Sequence, residues 1–172
     1  MAKRVRYLVD ANVLMEAHRR YYTFELCPGF WDCVAWNYKQ GVLSSIDRVK
    51  REIEDGKDAL SHWVKKSCPA GFFAATTDGK VTAKYGAVIT WVQSQARYKP
   101  EAQAKFAEDA DGWLAAYAKE HGFVVVTQEV PAPESRNEVK LPDVCDAFEV
   151  PYLNTFEMLT SLKARFTWKP GA

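Results

Sequence analysis

Acidic side chains that follow predicted strands are the groups of this sequence best placed to do chemistry. Asp10 comes directly after a short apolar strand predicted to end at Val9, and Glu129 stands just past the apolar run 123–127. In a sheet of parallel strands, ligands bind in the crevice beyond the carboxyl ends of the strands. A carboxylate at such an end is placed to hold a divalent cation or a substrate.

Three further acids lie on predicted helices. Asp109 and Asp111 stand at a helix start, and Glu52 lies on a helix that follows a short strand. The helix dipole stabilises acids in the first turn, so helix formation alone accounts for one or two of them. Glu52 precedes the buried-stripe residue Ile53, and it either points into a cleft or lies exposed. Because the chain has 22 Asp and Glu residues, their positions are more informative than their number.

Carboxylates gathered on one edge of a sheet repel one another unless they are protonated or bridged by cations. Mg²⁺ and Mn²⁺ prefer oxygen ligands, often one or two carboxylates with water molecules completing the octahedron. A divalent cation of this kind also polarises a phosphodiester and activates water. The alternative is structural, because Asp10 and Asn12 are both good residues for the N-cap of the next helix.

Strands alternating with helices are predicted to position these acids. The strands are expected at about residues 5–9, 42–44, 123–127 and 150–153. Ser45, Asp58 and Asn154 are predicted helix caps, Asp47 is read as stabilising a helix start, and Gly122 is predicted to end a helix. This alternation indicates an α/β fold, a three-layer α/β/α sandwich with a central, mainly parallel sheet.

Length and composition indicate a globular chain. The 172 residues are most simply one domain, residues 1–172, and 48% of them are hydrophobic, which argues against disorder. The net charge of +1 excludes a strongly basic protein without excluding a nucleic-acid binder. No apolar run approaches the ~20 residues of a membrane span, and no signal peptide is recognisable. The four cysteines lack paired spacing, so reduced thiols and a cytoplasmic location are expected.

Four segments, in this order, resemble the PIN domain, a fold of metal-dependent nucleases that includes the VapC-type ribonuclease toxins of bacterial toxin–antitoxin pairs. The segments are Val9–Val13, Glu52–Ile53, Ala110–Ala118 and Val126–Glu129. The resemblance covers about residues 7–162, and its specificity comes from the ordered set because each motif is short. The segment Leu141–Cys145 makes the chain more similar to an uncharacterised PIN-like subgroup than to ordinary VapC proteins.

The resemblance implies a catalytic role for four acids. Asp10 matches the first acid of the family, Glu52 the second and Asp111 the third, so these three would hold the metal. Glu129 falls where the family usually has Asp. Its longer side chain leaves open whether it contacts the metal directly or through water.

Supporting roles also follow from the resemblance. Thr127 matches a hydroxyl that helps to hold that end of the site, and Asn12 fits an orienting role beside Asp10. Asp109 and Asp143 are extra acids, of which Asp109 is a candidate for a supporting role. Neither has a firm counterpart in the family, and both are expected to be surface residues.

The implied function is a Mg²⁺- or Mn²⁺-dependent endoribonuclease that hydrolyses RNA phosphodiester bonds. The family resemblance extends this expectation to the toxin of a bacterial toxin–antitoxin pair, with a small antitoxin protein as partner and a homodimer as assembly. Arg19 and Arg20 are candidates to track the RNA backbone through contacts with phosphates.

Two other functions compete with this one. A haloacid-dehalogenase-like phosphatase also places Asp after its first strand, but it requires a second Asp two residues later, where this sequence has Asn12. The other alternative is a PIN fold with a weak or inactive site that only binds RNA or protein. Glu129, in place of the usual Asp, keeps this alternative open.

Aromatic residues and histidines have less specific roles. Four aromatic residues either form a docking surface for a partner or lie in the core, and at least two are expected in the core. They are Tyr21, Tyr22, Trp31 and Trp36. The histidines are scattered along the chain, and helix-surface or capping roles are expected for His18, His62 and His121.

Overall fold

The centre of the protein is a sheet of five parallel strands. A computed structural model describes residues 4–170, and its strands lie in the order β3-β2-β1-β4-β5. Each neighbouring pair is parallel, and the first strand of the chain is the middle strand of the sheet. The strands are β1 Tyr7–Val9, β2 Leu43–Ile46, β3 Phe73–Ala74, β4 Val124–Val126 and β5 Tyr152–Leu153.

Helices connect the strands and flank the sheet, so the predicted α/β class and three-layer α/β/α sandwich are confirmed. Residues 4–170 contain nine α-helices and a π-helical turn, Ala17–Tyr21, that continues the first helix. The helices are α1 Ala11–Glu16, α2 Pro28–Lys39, α3 Asp47–Asp55, α4 Ala59–Lys66, α5 Gly79–Ser94, α6 Pro100–Glu108, α7 Asp111–His121, α8 Leu141–Ala147 and α9 Thr155–Ser161.

β1 and β4 are buried on both faces, as their nearly continuous apolar sequences indicate. Leu8 and Val125 pair across the two strands and are fully buried. The strands also end in step, because Val9 pairs with Val126. The residues that follow these two strands therefore meet at the same edge of the sheet.

Three predicted helix boundaries are confirmed. The Asp58 carboxylate accepts a hydrogen bond from the backbone N–H of Ser61 in the first turn of α4. Asn154 forms a capping box with Glu157 at the start of α9. Gly122 ends α7 with a φ of 70°, in the left-handed region that glycine adopts without strain.

The prediction that Ser45 caps the next helix is wrong. Ser45 lies inside β2, is fully buried, and its hydroxyl donates to the backbone oxygen of Val9 at 2.7 Å. β2 continues to Ile46, and α3 begins at Asp47. A serine hydroxyl can bond a helix terminus or the backbone of a neighbouring strand, so its identity alone does not decide between them.

β3 is a strand that the sequence pattern does not indicate. It has two residues and pairs with β2 at the edge of the sheet, with Ser45 opposite Phe73. Asp47 holds the chain beyond it, accepting hydrogen bonds from the Thr76 hydroxyl at 2.8 Å and the Thr76 N–H at 3.3 Å. Asp47 lies in the first turn of α3 as expected, and it also ties that helix to the segment after β3.

The four aromatic residues differ in burial. Trp31 is 4% exposed, and Tyr22 stacks on Phe30 with ring centroids 4.7 Å apart. Tyr21 and Trp36 expose 53% and 57% of their surface. Tyr22 is only partly buried and packs against the core, so one of the four is a core residue where at least two were expected.

The structure tests only in part the expectations about membrane spans, cysteines and domains. Across residues 4–170 no helix is both long and apolar enough to cross a membrane. The four cysteines are free thiols, and burial raises the pKa of Cys145. The single-domain prediction covers residues 1–172, and it stays a prediction, since residues 1–3 and 171–172 lie outside the described part.

Candidate active site

Asp10 lies at the end of the middle strand and is almost completely buried, at 3% exposure. Its backbone N–H donates to the Val126 oxygen at 3.0 Å, so the pairing between β1 and β4 extends to this residue. Asp10 occupies the N-cap position of α1, yet its side chain makes no capping hydrogen bond. The carboxylate is therefore free of the structural role that the sequence left open.

Thr127 holds the Asp10 carboxylate. The Thr127 hydroxyl is buried and lies 2.9 Å from Oδ2 of Asp10. The Thr127 hydroxyl oxygen in turn accepts hydrogen bonds from the Asn12 amide at 3.4 Å and from the Glu129 N–H at 3.2 Å. A hydroxyl has one hydrogen and two lone pairs, so the two incoming donors leave its hydrogen for Asp10.

Asn12 fixes the direction of this network. Its Oδ1 accepts a hydrogen bond from the Gln128 backbone N–H at 3.1 Å, which turns its Nδ2 towards Thr127. The backbone N–H can only donate, so the orientation of the amide is determined. The orienting role expected for Asn12 thus has a defined geometry, and it acts on Asp10 through Thr127.

Glu129 is held at the start of α8. Its Oε2 accepts a hydrogen bond from the Leu141 N–H at 2.8 Å, and its Oε1 lies 4.0 Å from Nζ of Lys140. Lys140 is held in turn by Glu138, at 2.6 Å. One oxygen of Glu129 is therefore engaged by the backbone, which favours a supporting contact over direct ligation by both oxygens.

Asp111 is the first residue of α7 and is partly buried. Its position depends on close packing at the next residue, Gly112. A Cβ atom on Gly112 would lie 3.0 Å from the Tyr85 ring and 3.2 Å from the Phe106 ring. Tyr85 is itself stacked on Trp113, with centroids 3.8 Å apart, so it has little freedom to move away.

Five acids interact electrostatically at this edge of the sheet, and we call them the acid cluster: Asp10, Glu52, Asp109, Asp111 and Glu129. Burial is the largest cause of a rise in the Asp10 pKa from 3.8 to about 7, and two other acids of the cluster add to it. The Thr127 hydroxyl lowers the Asp10 pKa but does not offset the burial. Burial likewise raises the pKa of Asp111 well above its ordinary value, with the other four acids contributing.

Glu52 and Asp109 form the rim of the acid cluster. Both residues are exposed, which confirms the surface position expected for Asp109. Partial burial raises the pKa of the Glu52 carboxyl, and the charge of Asp109 raises it further. The sequence left open whether Glu52 points into a cleft or lies exposed. The structure shows an exposed residue whose pKa is still raised by another acid of the cluster.

A cavity of about 70 Å³ opens beside the cluster and includes two lysines that sequence reasoning missed. Three acids of the cluster line it, Asp109, Asp111 and Glu129, together with Glu138, Lys105 and Lys140. Lys140 lies among these acids, with its Nζ 4.0 Å from Glu129 and 2.6 Å from Glu138. Lys105 comes from α6, and Lys140 occupies the N-cap position of α8. No sequence motif marks either lysine. Lys140 is brought to the cavity by the fold of the segment before α8.

The chemistry of the donor set fits a hard divalent cation, since every acid supplies carboxylate oxygen and the buried ones have raised pKa values. Within residues 4–170, however, no three His, Cys, Asp or Glu side chains stand close enough together to form a ready-made metal site. The charges of the acids thus raise one another's pKa values, but the carboxylates do not surround a common point where a cation would sit.

The remaining candidate residues lie elsewhere. The surface prediction for Asp143 is wrong, because it is 7% exposed and accepts hydrogen bonds from the Ala132 N–H at 3.1 and 3.2 Å. It fixes the loop before α8, a tertiary contact that sequence spacing does not reveal. Arg19 and Arg20 are exposed on the π-helical turn, and Arg20 pairs with Glu16 at 3.0 Å.

The histidines have structural surroundings. His62 is exposed on α4, and His121 lies in the last turn of α7, as the helix-surface and capping expectation requires. His18 is partly buried, with its ring 5.1 Å from that of Phe24. None of the three is among the residues of the acid cluster.

Fold and site together define an α/β/α domain with a partly buried cluster of carboxylates at the carboxyl edge of its parallel sheet. The chain belongs to the family described as "Domain of unknown function (DUF4411)", whose model matches residues 7–166. A comparison with curated proteins gives no match. Function is therefore inferred from the site itself.

The raised pKa of Asp10 predicts a pH-dependent stability in the absence of metal. Asp10 binds its proton more tightly in the folded protein, where the pKa is about 7, than in the unfolded chain, where it is 3.8. Its contribution to stability is complete below about pH 4, falls by at most about 1.4 kcal/mol per pH unit as the pH rises, and is lost above about pH 7. Urea unfolding with a chelator at a series of pH values measures this slope.

Asp10→Asn should flatten this slope and be more stable than the wild type at pH 8, because a buried charge is replaced by a neutral amide of the same shape. Glu25→Gln, which removes an exposed carboxylate, is the matched control and should keep the wild-type slope. An unchanged slope in Asp10→Asn would contradict the assignment.

Proposed function

We propose that this protein is a PIN-like, Mg²⁺- or Mn²⁺-dependent endoribonuclease that acts on RNA phosphodiester bonds. The observation that supports the proposal most strongly is Asp10, a buried carboxylate at the end of the middle strand whose pKa is raised by burial and by neighbouring acids. A site in which several carboxylates lie near one another is stabilised when a cation binds within it.

Asp10, Glu52 and Asp111 would hold the cation. When bound, it would polarise the phosphodiester and lower the pKa of a water molecule. The chain positions these ligands through neighbouring groups. Thr127 orients the Asp10 carboxylate, and Asn12 orients Thr127. Glu129 supports the site beside Thr127 and is held by its contacts with Leu141 and Lys140.

The two lysines of the cavity would meet the phosphates of the substrate. Lys105 and Lys140 line the cavity beside the acids, so a phosphate that enters it would meet two ammonium groups. Arg19 and Arg20 are exposed on the π-helical turn that continues the first helix, nine and ten residues after Asp10. They would contact the RNA backbone away from the scissile bond.

A second candidate function is a PIN-fold module that binds RNA or protein without cleaving it. Two observations favour it. The acids within residues 4–170 do not form a ready-made metal site, and one oxygen of Glu129 is engaged by the Leu141 N–H. Cleavage assays separate the two functions.

The same proposal extends to biological role. Because the family resemblance includes VapC-type toxins, we infer a toxin of a bacterial toxin–antitoxin pair that acts in the cytoplasm. A small antitoxin protein would be its partner, and a homodimer its assembly. The acid cluster would be the target of inhibition.

A panel of unstructured and hairpin RNAs, with DNA of the same sequences, tests the proposed activity. We expect cleavage of RNA in Mg²⁺ or Mn²⁺ and none with a chelator. Asp10→Asn should abolish cleavage because it removes a ligand charge. Thr127→Val should lower the rate about 10- to 100-fold, the usual effect of losing a partner that orients a ligand.

Thr127→Ser is the matched control, since it keeps the hydroxyl that Asp10 accepts from, and it should retain most of the activity. Circular dichroism and thermal unfolding establish that each variant is folded. Full activity in a folded Asp10→Asn protein would remove the basis of the nuclease assignment. RNA binding without cleavage in all conditions would favour the binding module.

Expression in bacteria tests the toxin role. We expect the wild type to arrest growth, Asp10→Asn expressed at the same level to be harmless, and co-expression of a neighbouring open reading frame to restore growth. Arrest by both proteins would show that RNA cleavage is not its cause. Normal growth at a high level of active wild-type protein would contradict the toxin role.

A further inference from the structure

Tyr21 and Phe156 form an exposed aromatic pair near the acid cluster. Their ring centroids lie 5.9 Å apart at an interplanar angle of 73°, and the residues are 53% and 48% exposed. Tyr21 ends the π-helical turn, and Phe156 lies in the first turn of α9. Single exposed aromatic residues are common on protein surfaces. An exposed contact between two aromatic rings from segments far apart in sequence requires a further explanation.

A groove of about 400 Å³ connects this pair with the proposed active site. Thr127, Glu129 and Phe156 all line this groove. Tyr152 and Leu153, at the end of β5, also contribute to the lining. A strand bound at the acid cluster would therefore meet Phe156 as it leaves along this groove.

A second groove, of about 570 Å³, lies beyond Tyr21. Its lining includes Tyr21, Tyr22, Arg165 and Trp168. Trp168 is 83% exposed. Because Tyr21 belongs to this groove and Phe156 to the first one, the aromatic pair stands where the two grooves meet.

The charge changes sign along this path. Glu129 and Glu157 line the first groove, whereas Arg165 lines the second. Arg19 and Arg20 precede Tyr21 in sequence. Arg20 is paired with Glu16, while Arg19 and Arg165 are exposed. Exposed aromatic rings beside basic side chains match a single-stranded polynucleotide, whose bases stack on the rings while its phosphates meet the cations.

We propose that Phe156 and Tyr21 form a stacking subsite for unpaired bases of the RNA strand that occupies the acid cluster. The inference rests on the proposed nuclease function for the identity of this ligand. Bases within a duplex are covered by their neighbours on both faces, whereas unpaired bases can stack on aromatic side chains. The subsite therefore selects RNA that is single-stranded on the β5 side of the scissile bond.

Binding without cleavage tests the subsite. The full chain, with metal chelated, is titrated into a series of 12-nucleotide single-stranded RNAs. Each RNA carries 2-aminopurine at a different position, and each is also tested as a duplex. We expect binding to the single strand with quenching of 2-aminopurine at one or two positions, and weaker binding to the duplex. Phe156→Ala and Tyr21→Ala should each weaken binding about tenfold and relieve the quenching, because each removes a stacking surface.

Conservative and control variants distinguish stacking from general damage. Phe156→Tyr and Tyr21→Phe keep the rings and should bind as the wild type does. Trp36→Ala removes an equally exposed ring, 57% exposed on α2, that lines neither groove and should also leave binding unchanged. Thermal unfolding establishes that the alanine variants are folded.

The outcomes separate this inference from the nuclease proposal. Position-specific quenching that depends on Phe156, without cleavage in metal, would support the subsite and remove the nuclease assignment. Cleavage with equal binding by wild type and both alanine variants would overturn the subsite alone. An alanine variant that changes the oligomeric state in light scattering but not RNA binding would assign the aromatic pair to a protein interface and overturn the proposal.

Discussion

The hydrogen bond from the Thr127 hydroxyl to the buried Asp10 carboxylate is the contact on which the site depends. A carboxylate removed from water is costly to ionise, and one neutral hydroxyl offsets a small part of that cost. The pKa of Asp10 is therefore raised to about 7, because burial raises it more than the hydrogen bond lowers it. The residue is therefore poised between a protonated form that stabilises the folded chain and an anionic form that requires a compensating cation.

The topology of the sheet makes this contact possible. β1 is the middle strand, and it ends level with β4, so Asp10 and Thr127 emerge side by side. The close approach at Gly112 brings the start of α7, and with it Asp111, to the same edge. The loop before α8 supplies Lys140 and the N–H that engages Glu129. Residues far apart in sequence thus converge because each follows a strand or begins a helix at one edge.

Sequence patterns predict the parts of this arrangement that local rules control. The apolar runs predict β1 and β4, and the parallel sheet then places Asp10 and Thr127 together. Contacts made by the folded chain are not predictable in this way. Ser45 bonds a neighbouring strand instead of capping a helix, and Asp143 is buried because a loop N–H binds it. Lys140 reaches the site through the same loop, whose sequence carries no pattern for its path.

Titration of Mn²⁺ into the full chain by calorimetry, at a pH below the Asp10 pKa of about 7, tests the central claim most directly. We expect uptake accompanied by proton release, since protonated ligands must lose their protons to bind metal. Asp10→Asn and Asp111→Asn should lose this uptake, whereas Glu25→Gln should keep it. The absence of uptake by the wild type, or equal uptake by Asp10→Asn, would contradict the account.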